Sequence, residues 1–260
     1  MSTPPLLIPP AAIGAAFLLL PTVGLLIRVP WSGLREIFAD SGVTQALRLS
    51  IQCSLSAAGI SLVLGVPLAW VLARSRLPFT QILRAGVALP LVLPPVAGGV
   101  ALYLAFGRFG VLGQYLDRWF GFTLPFTTNG VIAAETFVSM PFLVVAVEGA
   151  LRGAGHAQEE AAATLGASPA RVFWTVTVPA VAPSIVSGLV LCWARALGEF
   201  GATITFNGSL AGVTKTMPIA VSQALEDSPQ AAEALSLVLL LIALAVLVGL
   251  RQRWLHAVSA

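Results

Sequence analysis

The sequence predicts an all-α fold: a polytopic bundle of about six transmembrane helices that forms a single domain over residues 1–260. Of the 260 residues, 57% are hydrophobic and only 10% are charged, whereas soluble domains carry about 25% charged residues. The mean hydropathy is +0.92. Several apolar runs of about 20 residues, long enough to cross a bilayer, are separated by short polar segments.

Six segments have the length and composition of a membrane span. They are residues 6–28, 49–72, 85–106, 130–149, 181–203 and 234–251. The first is expected to be a retained span, because no Lys or Arg precedes Arg28 and a secretory signal opens with a basic stretch. Prolines within the spans predict kinked helices, at Pro21, Pro67, Pro90, Pro94 and Pro95.

Basic residues in the loops predict the orientation. Seven fall on one side, namely Arg74, Arg76, Arg84, Arg152, Arg171, Arg251 and Arg253, and six on the other. Because these totals barely distinguish the two sides, we rely on the compact loop after span two, which contains three arginines. Arginines concentrate in cytoplasmic loops, so we expect the side that carries this loop to be cytoplasmic. We therefore expect both termini, and the loop after span four, to be cytoplasmic.

The other polar residues show no pattern for a metal, a nucleotide or a nucleic acid. The net charge of +3 comes from basic residues dispersed among loops. Cys53 and Cys192 lie in apolar segments and are expected to be small core residues. No His, Cys, Asp and Glu cluster has metal-ligand spacing, and no GxxxxGK[ST] loop occurs. No cofactor, metal or catalytic residue is expected on this chain.

The polar stretch over residues 150–180 predicts two short helices joined by a sharp bend. Residues 158–165 are strong helix formers. Gly166 suits the left-handed position just past a helix end. Ser168 can cap the second helix, and Pro169 suits its first position.

The second short helix presents an apolar face, made of Val172, Phe173 and Val176. Pro179 is expected to end that helix. A polar loop has little reason to expose an apolar face unless something covers it. We favour docking against a partner, and the alternative is an interfacial helix that lies on lipid.

This stretch resembles the Glu-Ala-Ala loop of bacterial ABC importer permeases. The family pattern is Glu-Ala-Ala, three residues, Gly, nine residues, two aliphatic residues separated by one position, then Pro. Its positions are occupied here by Glu160, Ala161, Ala162, Gly166, Val176, Val178 and Pro179, with Val where the family usually has Ile and Leu. In the family this loop docks onto a separate ATPase subunit. The resemblance therefore implies that ATP is bound on another chain.

Span five contains an arginine and a glutamate, Arg195 and Glu199, at a spacing that places them on one face of a helix. Charged residues inside an apolar span are costly and are candidates for function. Either the two form a pair that only holds the bundle together, or Arg195 adds positive potential along an anion path while Glu199 positions it. Gly198 and Gly201 permit close backbone approach or local unwinding.

The run over residues 194–203 is similar to that of the molybdate permease subgroup of ABC importers. Sulfate permeases share its Arg, Gly, Glu and Gly positions and tend to diverge after the second Gly. Residues 89–95 and 216–220 also agree with the molybdate subgroup. The resemblance implies a molybdate or tungstate importer, with a sulfate or thiosulfate permease as the alternative. The implied path residues are Pro94, Pro95, Arg195, Gly198, Glu199 and Gly201.

The resemblance also implies the partners. In the family two identical permease subunits form the pore in the bacterial inner membrane, two ATPase subunits bind the inner loops, and an external binding protein delivers the oxyanion. A membrane-embedded enzyme is the alternative from another class. It would need a nucleophile with a base or paired carboxylates, and Glu135 and Ser139 in span four offer no such pairing. The docking loop argues against a purely structural scaffold.

The outer loop over residues 107–129 concentrates aromatic side chains, at Trp119, Phe120, Phe122 and Phe126. Aromatic residues are enriched where a membrane meets water. We expect this loop to lie at the membrane surface or against a partner.

Overall fold

The structure is a computed structural model that describes residues 5–75 and 78–258, and these residues form helices and no β-strand. In chain order the helices are α1 Ile8–Arg28, α2 Leu34–Ala39, α3 Ser41–Arg74, α4 Thr80–Val92, α5 Pro95–Phe106, α6 Gly113–Phe120, α7 Thr128–Ala154, α8 Ala157–Thr164, α9 Pro169–Val172, α10 Val178–Leu197, α11 Gly201–Asn207, α12 Met217–Asp227 and α13 Pro229–Val258. A 3₁₀ turn, Pro5–Leu7, precedes α1, and a π-helical turn, Phe173–Thr177, joins α9 to α10. The predicted all-α fold class is confirmed.

Five helical segments of the described chain are long and apolar enough to cross a membrane. They are α1, α3, α7, the continuous segment Pro169–Leu197 and the Pro229–Val246 part of α13. The segment predicted as span three is not one helix, because it divides into the shorter apolar helices α4 and α5. Leu93 leaves the helix with φ −66° and ψ 130°, since the residue before a proline disfavours the α conformation. Pro95 then starts α5, where a proline needs no hydrogen-bond donor.

Helix α7 lies between α3 and α10 at the centre of the bundle. Its side chains Leu143, Val144 and Val147 are fully buried against both neighbours. Gly188 of α10 allows close packing, because a β-carbon there would lie 3.1 Å from the side chain of Leu143. Small residues at helix contacts are the usual device for close packing within membranes. Cys192 is a free, buried cysteine in this core, and Cys53 is free and buried in a separate cluster with Leu49 and Val131.

Helix α1 lies at the edge of the bundle, with no buried residue and with contacts to α13. A helix that is apolar on all sides and unburied by protein fits a position surrounded by lipid.

Basic residues collect at the end of the bundle where α3 and α7 end. Arg74 and Arg152 occupy the last turns of those two helices, and Arg84 of α4 donates to the carbonyl oxygen of Leu72 at 3.1 Å. Arg76 lies outside the described residues, as do the side chains of Arg251 and Arg253. Arg74, Arg84 and Arg152 therefore lie at the same end of the bundle.

Candidate functional site

The bend between α8 and α9 has the backbone geometry that its sequence predicts. Gly166 has φ +84°, the left-handed conformation that favours glycine. The amides of Gly166 and Ala167 donate to the carbonyl oxygens of Ala163 and Ala162, at 3.0 and 3.1 Å. These bonds satisfy the last carbonyls of α8. The chain therefore reverses sharply without leaving the helix end unpaired.

Helix α9 begins as predicted. The Ser168 side chain accepts a hydrogen bond from the amide of Arg171 at 3.4 Å, and Pro169 occupies the first helical position. This is an N-cap followed by a proline that needs no donor.

The prediction that Pro179 ends this helix is wrong. The chain stays helical from Pro169 to Leu197, because the π-helical turn precedes the proline. The amide of Val178 donates to the carbonyl oxygen of Phe173, five residues back. A proline lacks a donor and crowds the carbonyl four residues before it. The wider π-helical turn relieves that crowding, so the helix continues into the membrane.

The apolar face predicted for docking is already half covered by the chain itself. Val172, Phe173 and Val176 are all half-buried. The Phe173 ring meets Trp70 of α3 edge to face, with centroids 6.0 Å apart. The large apolar side chains that are exposed in this region are those of Leu165 and Trp174, which are 89% and 68% exposed. The surface open to a partner therefore includes two residues that the sequence pattern did not single out.

Two adjacent glutamates of α8 have different environments. Glu160, which occupies the family motif position, is exposed and makes no ion pair within the described part of the chain. Glu159 faces inward, and its carboxylate lies 3.1 Å from the Arg74 guanidinium. It also accepts a hydrogen bond from the Thr177 hydroxyl at 2.8 Å. Glu159 thus joins α8 to the end of α3 and to the π-helical turn.

Arg74 completes this connection, which we call the α8 latch, made of Arg74, Glu159 and Thr177. The Arg74 guanidinium also donates to the carbonyl oxygen of Gly155 at 2.5 Å. Its side chain is only 7% exposed, so its charge depends on these partners rather than on water. Glu159 was not among the predicted site residues, because only the fold brings residues 74, 159 and 177 together.

A second charged network lies at the same end of the bundle. Glu148 of α7 pairs with Arg84 of α4 at 2.7 Å and with Arg152 at 3.0 Å. Since Arg84 also binds the Leu72 carbonyl oxygen, this network connects α3, α4 and α7. Together the two networks brace the end of the bundle that carries the α8–α9 bend.

Within the membrane part, two helix breaks lie side by side. One is between α4 and α5 at Pro94, and the other is between α10 and α11 at residues 198–200. A β-carbon on Gly201 would lie 2.6 Å from the Pro95 side chain, and one on Gly99 would lie 2.8 Å from the Ala202 carbonyl oxygen. Both glycines are therefore required for the close approach of α5 and α11. Of the proline and glycine positions named from the sequence, the structure brings Pro95 and Gly201 into contact, with Pro94 adjacent in the first break. Gly198 is not part of this contact, because it is exposed and a β-carbon there would meet only the carbonyl oxygen of Ala194.

Arg195 and Glu199 form the expected ion pair, at 2.6 Å, but they do not share one helix. Helix α10 ends at Leu197, so Glu199 lies in the break. Its second carboxylate oxygen accepts a hydrogen bond from the Ala202 amide at 2.8 Å. A carboxylate at this place satisfies the first amides of α11 and complements the positive end of that helix. Glu199 therefore ties together both sides of the broken helix.

Buried polar groups that were not among the predicted path residues lie between α7 and α11. Glu135 of α7 is 1% exposed, and Thr203 and Asn207 of α11 are fully buried. Each has at least one side-chain polar atom without a hydrogen-bond partner in the described chain. The spacing of Glu199, Thr203 and Asn207 places them on one face, which could have revealed this polar face from sequence. Ser139 accepts a hydrogen bond from the Cys192 thiol at 3.3 Å.

No group of three His, Cys, Asp or Glu side chains that could hold a metal occurs in the described residues. The described structure therefore has two candidate regions. One is the loop at the end of the bundle that the α8 latch holds, and the other is the helix break beside the buried polar side chains. This arrangement defines a multi-pass membrane protein with an exposed helical bend at one end of its bundle.

Residues 61–257 match the family described as binding-protein-dependent transport system inner membrane component, and the chain belongs to that family. It is 47% identical to the molybdenum transport system permease protein ModB of Mycobacterium tuberculosis, over 94% of this chain and 92% of that protein. It is 34% identical to the sulfate transport system permease protein CysW of Synechocystis, over 89% and 85% of the two chains.

The fold is also found in a crystal structure of a bacterial ABC transporter involved in the import of the acidic polysaccharide alginate. The TM-score is 0.74 at 18% identity, over 95% of this chain and 93% of the other. This similarity shows that the two chains share a helical fold.

Proposed function

We propose that this chain is the membrane-spanning permease subunit of an ABC importer that carries molybdate, and that it couples transport to ATP hydrolysis on a separate subunit. The observation that carries the proposal is the α8–α9 bend, whose backbone geometry presents the family motif at an exposed surface. The higher identity to the molybdenum permease than to the sulfate permease, 47% against 34%, supports molybdate over sulfate or thiosulfate.

The exposed part of the bend is the surface for the ATPase subunit. Glu160, Leu165 and Trp174 are its outward side chains. Ala161, Ala162, Gly166, Ser168 and Pro169 set its shape, and Val172, Phe173, Val176 and Pro179 connect it to the bundle. Because the α8 latch ties α8 to α3 and α10, a displacement of the docked loop is passed to two helices that enter the membrane. Since the arginine-rich end of the bundle carries this loop, we place that end and both termini in the cytoplasm.

The two helix breaks form part of the oxyanion path. Pro95 of the first break and Gly201 of the second hold the two breaks together, with Pro94 beside Pro95 and with Gly198 exposed at the start of the second break. Arg195 is 30% exposed despite its ion pair, so its cation remains accessible to an anion passing the break. Helix breaks within the membrane commonly line the paths of transporters.

The remaining partners follow from the same function. An external binding protein delivers the oxyanion, and a second copy of this chain completes the pore, with residues 1–260 acting as one transmembrane domain in the lipid bilayer. The ATP belongs to the ATPase subunit, so no cofactor is assigned to this chain.

Uptake by the reconstituted transporter tests the proposal. The chain is co-purified with its ATPase and binding protein, and uptake of labelled molybdate into liposomes is measured with tungstate and sulfate as competitors. We expect ATP-dependent uptake that tungstate inhibits more strongly than sulfate does. Preferential uptake of sulfate would assign the chain to the sulfate permeases. Failure of the chain to associate with any ATPase would contradict the coupling role.

A further inference from the structure

Helix α6 exposes an apolar face that the transport function does not explain. Tyr115 and Trp119 lie one turn apart on this face with ring centroids 5.3 Å apart. An open groove of about 420 Å³ beside them is lined only by apolar and aromatic residues: Phe106, Leu112, Tyr115, Leu116, Trp119 and Phe120. Trp119 and Phe120 are 69% and 73% exposed.

Backbone hydrogen bonds fix the depth of α6 relative to a membrane helix. The amides of Val111 and Leu112, just before α6, donate to the carbonyl oxygens of Leu104 and Ala105, at 3.0 and 2.8 Å. These carbonyls belong to the last turn of α5, which otherwise would lack partners. Helix α6 therefore begins at the level of the last turn of the apolar helix α5.

The polar side of α6 carries charges suited to the headgroup layer. Arg108 pairs with Asp117 of α6 at 2.9 Å and holds the helix against the loop. Arg118 is exposed and makes no ion pair within the described part of the chain. A helix with aromatic residues on one side and a free cation on the other fits the boundary between acyl chains and phosphates.

We infer that α6 lies in the plane of the bilayer surface, with Leu112, Tyr115, Leu116 and Trp119 against lipid acyl chains and Arg118 at the lipid phosphates. Two features of α6 suit contact with lipid. One is the apolar, aromatic groove for the acyl chains, and the other is the exposed Arg118 guanidinium for the phosphates. This seating anchors the end of α5, so the helix that forms one side of the membrane break is held at a fixed depth. The inference does not depend on which anion is transported.

Spin-label accessibility tests the seating. Trp119→Cys places a label on the apolar face and Gln114→Cys places a matched label on the polar face, in the full transporter in lipid nanodiscs. The native cysteines, Cys53 and Cys192, are buried, so the unsubstituted chain serves as the unlabelled control. We expect the label at 119 to collide with dissolved oxygen and to be shielded from a water-soluble nickel chelate, and the label at 114 to show the reverse.

Other outcomes would overturn the inference. Access of the nickel chelate to both positions would place α6 in water. Shielding of position 119 from both reagents would show that protein covers this face. If that shielding is lost at high dilution, the protein that covers position 119 is a second copy of this chain. If it is lost when the binding protein is left out, the covering protein is the binding protein. Uptake of molybdate is measured on the same samples, so a failed transport function is distinguished from a failed lipid seating.

Discussion

The α8 latch and the membrane break each depend on one arginine and one glutamate, but the two pairs lie in different surroundings. In the break, Glu199 is 1% exposed and Arg195 is 30% exposed. In the latch, Glu159 is 18% exposed and Arg74 is 7% exposed. Water can therefore reach the acid of the latch and the base of the break. The more buried residue is the glutamate in the break and the arginine in the latch. Removal of one partner should therefore have different effects on the two pairs.

The two glutamates also connect different parts of the structure. Glu199 joins the two halves of one broken helix, through Arg195 and the Ala202 amide. Glu159 joins separate helices, through Arg74 and Thr177. Loss of Glu199 or its partner should therefore disturb the local path, whereas loss of Glu159 should release α8 from the bundle.

The largest expected effect follows Arg195→Ala. It leaves the buried Glu199 carboxylate without its cation, and removal of one partner of a buried pair costs about 3–5 kcal/mol in soluble proteins. We expect a marked fall in the melting temperature of the detergent-purified chain. Arg35→Ala, which removes an exposed arginine of α2 that forms no ion pair within the described residues, is the matched control and should leave the melting temperature unchanged.

The double variant Arg195→Ala and Glu199→Ala sharpens this result. It should regain much of the lost stability, although the cap on α11 stays missing. Uptake should remain low if Arg195 draws the anion along the path. A stable double variant that transports at the parental rate would reduce Arg195 to a structural role.

An intermediate effect is expected from Glu159→Ala. It removes the ion pair between Arg74 and Glu159 and the acceptor of the Thr177 hydroxyl, while Arg74 keeps its hydrogen bond to the Gly155 carbonyl oxygen. Hydrogen bonds to charged groups contribute about 1.5–3 kcal/mol each. The melting temperature should fall, and uptake should fall further than ATP hydrolysis because α8 no longer moves α3 and α10. Glu160→Ala is the matched control: it should keep the melting temperature and weaken ATPase association instead. Equal behaviour of the two variants would refute the separate roles of these glutamates.

The smallest effect on stability is expected from Gly166→Val. A β-carbon at Gly166 meets no atom within 4 Å, so the cost is backbone strain alone, about 1–2 kcal/mol in the left-handed region. The altered bend should uncouple ATP hydrolysis from uptake while the chain still inserts and assembles. Gly149→Ala, at an equally open helical position in α7, should be neutral or slightly stabilising. Normal substrate-stimulated ATP hydrolysis in the assembled Gly166→Val transporter would show that the bend tolerates this strain.

Local backbone features were predictable from sequence, because a few neighbouring residues determine them. The left-handed Gly166 and the Ser168 cap belong to this group, as does the all-α class. Pro179 shows the limit of this local argument. A proline usually ends a helix, but a π-helical turn upstream removes the clash, and no sequence pattern used here indicates such a turn.

Contacts between distant segments were less accessible. The Arg195–Glu199 pair was predicted from its short spacing, yet the helix break between the two was visible only as permissive glycines. The contact between Pro95 and Gly201 depends on how α5 and α11 pack. Glu159 was missed because its partners lie 85 and 18 residues away. The division of span three was signalled by Pro94 and Pro95 but was interpreted as a kink.

The π-helical turn at Phe173–Thr177 has a consequence for rotational phase. An α-helix advances about 100° per residue, and a π-helical turn accommodates one additional residue. The segment before the turn is therefore rotated by about 100° relative to its position in an uninterrupted α-helix. This offset lets Phe173 face Trp70 while Val181, further along, faces the bundle core. One extra residue in the π-helical turn thus sets the direction in which the α8–α9 bend faces, independently of the orientation of α10.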